Sequence, residues 1–250
     1  MNAREYEIMH HVEDEHWWYV GMRSLIFSTL TRLHRALGCP PWLMLDAGCG
    51  TGAIAARLKQ FGRVMAVDLS NLALHFSQRR SLGGRLSQGS VTAVPAAANT
   101  FDLITSVDVL YSVPDDNQAL AEFHRVLKPG GALLLNLPAL EWLRGQHDLA
   151  IHTLRRYTPQ KLQAQIRHHG FTVEKMSFAN SLLLPLVAPY RLATNWLPAT
   201  GDEPKSDVYP VPKPLNAVLG WIMGLEANMI PRVSLPLGMS LFVVARKKAG

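Results

Sequence analysis

The 250-residue chain is poor in cysteine, in charge and in long apolar runs, and each shortage excludes something. Two cysteines, Cys39 and Cys49, are too few for the disulfide framework that holds small secreted domains together, and Cys49 sits inside a glycine loop that a cross-link would distort. A reducing compartment is expected. The start, Met1-Asn2-Ala3-Arg4-Glu5, lacks the basic and then apolar pattern of a secretory signal, so cytoplasmic location is the default expectation. Charged residues make up only 18%, and the net charge of +6 comes from scattered lysines and arginines. No dense basic block with interleaved aromatics occurs except the local Arg155-Arg156-Tyr157, so no nucleic-acid partner is expected. The excess of positive charge better suits a phosphorylated substrate or an anionic lipid surface. With 48% hydrophobic residues, the chain can bury the core of one sizeable α/β domain with embellishments.

What is present centres on one run, Leu43-Met44-Leu45-Asp46-Ala47-Gly48-Cys49-Gly50-Thr51-Gly52. An apolar strand ends in an acid, and three closely spaced glycines let the backbone turn sharply and bring its N–H groups close to a ligand. Alone, Gly48 to Ala53 also fits the G-x-G-x-x-G/A pattern of dinucleotide-binding units, and a turn serving only packing is the plain alternative. A second apolar strand, Val64 to Val67, ends in Asp68, about 20 residues after the first glycine, where an acid would accept both ribose hydroxyls of an adenosine.

From here the chain resembles the class I S-adenosylmethionine-dependent methyltransferases. The resemblance rests on Asp46 through Gly52, Ala66 to Ser70, Phe101 to Ile104, Asp108 to Tyr111 and Arg125 to Gly131, and covers roughly residues 40 to 140. It implies a Rossmann-like α/β fold: a seven-stranded, mostly parallel sheet with an antiparallel C-terminal hairpin. It also implies S-adenosyl-L-methionine as cofactor, with Asp46, Gly48, Cys49, Gly50 and Gly52 against the methionine moiety and Asp68 and Leu69 at the ribose. Ser90 and Val91 then meet adenine, and Val107, Asp108 and Tyr111 border the sulfonium. Two departures stand out. Ser90 occupies a place where many relatives have an acid, and its hydroxyl accepts more weakly than a carboxylate. Tyr111-Ser112 stands where relatives often carry Glu-His.

Around this frame, residues 5 to 38 read as helical, with Leu25, Ile26, Leu30, Leu33 and Leu37 in one stripe. Residues 1–38 are expected to form a lid segment, and 39–250 the methyltransferase domain. Adjacent tryptophans point about 100° apart on a helix, so Trp17 and Trp18 cannot both face one stripe. They resemble the His-Trp-Trp segment of a bacterial subgroup in which an N-terminal helix lies over the cofactor. There the rings would exclude water and attract the sulfonium, and Arg23 would pair with the methionine carboxylate; a surface helix anchored by its tryptophans is the alternative. A helix over Ala119 to Leu127 is expected to stop at Lys128-Pro129-Gly130-Gly131, with a strand over Ala132 to Leu137 after it. Strands over Phe171 to Phe178 and Met239 to Arg246 then flank an insertion, residues 179–238, too long for a plain connection. Its apolar stretches, Ser181 to Tyr190 and Pro214 to Leu225, are too short to span a bilayer. A cap over the substrate, a surface dipping into lipid and an extra packing layer are the three readings.

Substrate chemistry points to the segment after the Ala132 to Leu137 strand, because loops at the carboxyl ends of such strands face the ligand crevice. His147, His152 and Tyr157 are the candidate catalytic groups, with His152 the preferred base. Asp148, Arg155, Arg156, Trp17 and Trp18 are the candidate substrate contacts. A loop or capping role is the alternative for each histidine, and no metal site is expected from His147, Asp148 and His152. No Asn-Pro-Pro-Tyr motif follows the fourth strand, which disfavours methylation of a planar base nitrogen or a glutamine amide. The expected reaction is methylation of an oxygen on a small molecule, glycan or lipid-linked intermediate. A non-catalytic cofactor-binding protein and a nicotinamide-dependent oxidoreductase are the other classes.

Overall fold

A computed structural model describes residues 3–80, 82, 85–195 and 211–248. Seven strands form one sheet: β1 (Trp42–Ala47), β2 (Gly62–Asp68), β3 (Leu86–Gln88), β4 (Phe101–Val107), β5 (Leu127–Pro138), β6 (Phe171–Ala179) and β7 (Ser240–Lys247). Their order is β3-β2-β1-β4-β5-β7-β6. The first five pair in parallel, whereas β7 runs antiparallel between β5 and β6. The sheet reverses direction of growth beside β1, which is where open α/β sheets place their ligand crevice.

Apolar residues cover both faces. On one face lie α5 (Asp116–Val126) and α7 (Pro159–His168), which bury Leu120, Phe123, Leu162 and Ile166. On the other lie α2 (Trp17–Ala36), α3 (Ala53–Leu58) and α9 (Lys213–Met229), which bury Ile26, Leu30, Leu58 and Ala227. The central strands, covered on both sides, are correspondingly continuous in hydrophobic side chains. Among the described residues no helix is long and apolar enough to cross a membrane.

Four expectations are refined. The N-terminal helix is two helices, α1 (Ala3–Val12) and α2, because His16 caps α2 with its ring, accepting from Trp18 N, and Arg23 donates to the carbonyls of Glu13 and Asp14 in the link. Leu37 lies beyond the stripe as the C-terminal cap and is exposed. The segment Lys128 to Gly131 does not precede a strand but lies within β5. Leu127 already pairs with Phe101, and the ladder resumes at Ala132 opposite Leu103, so the glycines form a bulge inside the strand. The insertion is divided. Its second helix, α9, is a packing layer on α2, while α8 (Leu184–Asn195) stands beside the cavity described next. Its residues 196–210 lie outside the described residues.

Candidate active site

A cavity of about 780 Å³ opens at the carboxyl ends of β1, β2, β4 and β5, within the ~300–1,000 Å³ typical of ligand sites. At its floor, Gly48 has φ +80°, and a Cβ there would lie 2.4 Å from a Val109 methyl. Gly50, at φ +54°, opens onto the cavity, where its nearest neighbour is the tip of Met9. Both positions take a left-handed backbone that favours glycine, and at Gly48 the close approach of Val109 leaves no room for a side chain. The loop is held from beneath by Asp68, whose Oδ2 accepts from Gly50 N at 2.8 Å and whose Oδ1 accepts from Ser70 N at 2.9 Å. Burial raises the Asp68 carboxyl while these N–H groups oppose the shift. Each carboxylate oxygen carries more than one lone pair, so both retain acceptor capacity toward a ligand.

Asp46 lies behind the loop. Its Oδ1 accepts from Thr105 Oγ1 at 2.8 Å, its Oδ2 is buried with no hydrogen-bond partner among the described residues, and burial pushes its carboxyl up to about 7. Burial likewise pushes the Cys49 thiol up, so it stays protonated and inert. Leu69 is 71% exposed at the cavity, an apolar side chain offered to a flat partner. Ser90 and Val91 also line it, but the Ser90 hydroxyl is already engaged in its own turn, accepting from Thr92 N at 3.1 Å and bonding Thr92 Oγ1 at 2.7 Å. Val107, Asp108 and Tyr111 form the next wall. Asp108 sits at φ +54°, takes a hydrogen bond from Asn136 Nδ2 at 3.0 Å, and is pushed by burial up to about 7.

The N-terminal helices roof this floor. Trp17, Trp18 and Arg23 all line the cavity, together with Tyr6, Met9, Glu13, His16, Tyr19 and Met22. Arg23 is turned toward the link between the helices, donating to Glu13 O at 2.6 Å. Glu13 itself is buried and fastens roof to floor: its Oε1 accepts from Thr51 Oγ1 of the glycine loop at 2.5 Å and from Arg80 Nη2 at 2.7 Å. Sequence reading missed Tyr6, Glu13, Thr51 and Arg80. The acidic run Glu13-Asp14-Glu15 was the one available signal, whereas the partner Arg80 is 67 residues away.

At the far end the cavity meets His147, Asp148, Ile151, His152 and Arg156. Arg156 grips Asp148 with two parallel hydrogen bonds of 2.9 Å, both side chains nearly inaccessible, and donates a third to Ala139 O. Burial pulls Asp148 upward, but Arg156 outweighs it and holds the carboxyl below its usual range. Arg191 of α8, also missed, stands 3.8 Å from Asp148, so two guanidinium groups face one carboxylate. His152 adopts φ +57° at the end of α6 (Gln146–Ala150). Three expected site residues lie away from the cavity, the first being Gly52, which at φ +83° packs on the protein side of the loop, where a Cβ would meet Ser77 Oγ at 2.8 Å and Leu82 at 3.0 Å. Tyr157 is buried in the core with its hydroxyl donating to Asp116 at 2.8 Å, and Arg155 clamps the carbonyls of Leu110, Val113 and Pro114. The alternation of a strand pairing explains this: Tyr157 N donates to Pro138 O, and its neighbour Arg156 faces the opposite way.

The donor set fits S-adenosylmethionine. A cradle open at Gly50, an acid pair beneath it and an apolar shelf at Leu69 match a methionine, a ribose and a flat base in that order. Residues 45–135 match the family described as Methyltransferase domain. A trans-aconitate 2-methyltransferase of Deinococcus radiodurans is 30% identical over 197 residues, which are 76% of this chain and 70% of that protein. A ubiquinone/menaquinone biosynthesis C-methyltransferase of Klebsiella pneumoniae is 36% identical over 118 residues, 42% of this chain and 47% of that protein, so the chain spans about half the length of that relative. A methyltransferase of Thermotoga maritima, 19% identical, shares the fold over 98% of this chain and 96% of its own, with a TM-score of 0.57. On this fold, this site and these matches, the chain belongs to the class I S-adenosylmethionine-dependent methyltransferases, with S-adenosylmethionine as its cofactor.

Proposed function

We propose that the chain transfers a methyl group from S-adenosylmethionine to an oxygen of a small molecule held between His147, His152, Arg156 and Arg191. The observation that carries this reading is the continuity of one cavity from the glycine loop to those four side chains. The same reading makes residues 1–38, with His16-Trp17-Trp18, a lid over the cofactor, and gives the α8 part of the insertion a capping role through Val187 and Arg191. An acceptor bearing a carboxylate suits an end where two arginines face one aspartate. The name of the Deinococcus relative, whose substrate is an organic acid, supports the same class. Glycans and lipid-linked intermediates with an acidic group belong to it as well. The Klebsiella relative, a C-methyltransferase, favours a carbon acceptor as the second reading, though its match spans less than half of either chain.

When bound, the cofactor supplies a methyl group already activated by its sulfonium. The chain's own work is then positional. Asp68 orients the ribose, Tyr6, Met9, Trp18 and Tyr19 exclude water, and Arg191, set beside the Arg156–Asp148 pair, holds the acceptor in line. Such positioning can contribute ~7–11 kcal/mol. Where the acceptor oxygen is a hydroxyl, His152 takes its proton as the methyl group arrives, whereas a carboxylate oxygen is already ionised and needs only to be positioned. The test is transfer of labelled methyl from S-adenosylmethionine to a panel of carboxylic acids and hydroxyl compounds, beginning with trans-aconitate. With a hydroxyl acceptor, His152→Gln should lower turnover by ~10²–10⁴-fold and leave cofactor affinity intact. Undiminished turnover removes the base, and a product methylated on carbon removes the oxygen reading.

A further inference from the structure

The helix α9 is apolar on two sides but covered on one. Met223, Ala227 and Ile230 are buried on the α2 side. At 100° per residue, Leu215, Val218, Trp221, Leu225 and Met229 fall within an arc of about 120° on the other side. All five are exposed, Trp221 by 66%. A soluble helix normally presents charge there, and an exposed apolar face of this extent marks an interaction surface.

Charge says what lies against it. Among the described residues from 182 to 239 there is one acid, Glu226, and it is buried, accepting from Ser181 N and Leu182 N. Lys213 and Arg232, both exposed, stand at the two ends of the apolar face. An apolar arc with basic ends and, among the described residues of the insertion, no exposed acid complements a bilayer surface carrying anionic headgroups. The helix has 17 residues, ~26 Å, short of the ~30 Å hydrocarbon core, so it lies along the surface and does not cross.

The face is also wired to the cavity. Asn216 of α9 accepts from Trp17 N at 2.9 Å and donates to Glu15 O at 2.9 Å, holding the link between the two roof helices. On α8, Leu186 is 67% exposed while its neighbours Val187 and Arg191 line the cavity. We propose that the outer face of α9, with Leu186 of α8, docks the protein on an anionic membrane surface, so that an acceptor resident in the bilayer reaches the cavity without crossing water. The docking stands independently of the acceptor's chemistry.

Sedimentation of the full chain with phosphatidylglycerol–phosphatidylcholine vesicles and with pure phosphatidylcholine vesicles tests this. Wild type should pellet with the anionic vesicles and far less with the neutral ones. Two non-overlapping pairs, Trp221→Ser with Leu225→Ser and Leu215→Ser with Val218→Ser, should each stay in the supernatant with unchanged melting temperature and S-adenosylhomocysteine affinity. Leu37→Ser, at an exposed leucine elsewhere, should pellet like wild type. Wild type remaining in the supernatant, or either folded pair pelleting like wild type, overturns the proposal. So does a wild-type dimer in solution that either pair splits, since the face is then covered by a second copy.

Discussion

Asp68 does two jobs with one carboxylate, shaping the glycine loop through Gly50 N and presenting its remaining lone pairs to the cavity. Asp68→Ala removes both, and affinity for S-adenosylhomocysteine should fall by about 1.5–3 kcal/mol, tenfold for each ~1.4 kcal/mol. Calorimetry giving an unchanged Kd would remove the ribose assignment. Asp46 allows a test of sign. Its folded carboxyl is raised to about 7, whereas an unfolded aspartate titrates near ~3.9. Between those values the folded chain keeps a proton that the unfolded chain has released, so this group's contribution to stability is present at low pH and lost as pH rises through 7. Asp46→Asn is neutral throughout and can still accept from Thr105. Its stability relative to wild type should therefore rise from pH 5 to about pH 7 and level off above it in urea denaturation, and a constant difference would show that Asp46 ionises normally. The residues legible in sequence were those whose backbone demands a type, the loop glycines and the acids that end β1 and β2. Arg155 and Tyr157 were misplaced because a sequence does not say which way a side chain leaves an isolated bridge such as Ala139 with Tyr157.

At the scale of elements, the crossing of α2 and α9 is a close joint. A Cβ on Gly21 would stand 2.4 Å from Met223 Cβ, an atom fixed to the α9 backbone, so Gly21→Ala has to push the helices apart. A loss of about 1–3 kcal/mol is expected on chemical denaturation, the range for overpacking. Stability equal to wild type would mean that α9 does not pack where described. Strands β1 and β2 and the helix α5 were legible because each is an apolar run closed by an acid, glycines or a proline, whereas the short β3 and the first half of β5 were not. Beyond them, the helix Pro159–His168 is bounded by residues a sequence shows directly, Thr158-Pro159 at its start and Gly170 after its end. The split between α1 and α2 was not legible, since it depends on Arg23 reaching back to Glu13 and Asp14. Nor was the division of the insertion, because α8 and α9 are both apolar and only their packing separates a cavity wall from a covering layer.

For the molecule as a whole, one cavity joins a nucleotide cradle to an arginine-lined end under a roof latched by Glu13 to Thr51 and Arg80. That latch needs the N-terminal helix, the glycine loop and α4 (Asn71–Gln78), which Arg80 follows, to be assembled together. The central claim is that this cavity holds the cofactor with its sulfur toward the histidines, and a crystal structure with S-adenosylhomocysteine tests it most directly. The expected result is a ribose hydrogen-bonded to Asp68, adenine against Leu69 and the sulfur between Asp108 and the His147 to Arg156 segment, beneath Trp18 and Tyr19. A ligand bound elsewhere, or one lying in the cavity with its sulfur turned away from His147 and His152, would contradict it.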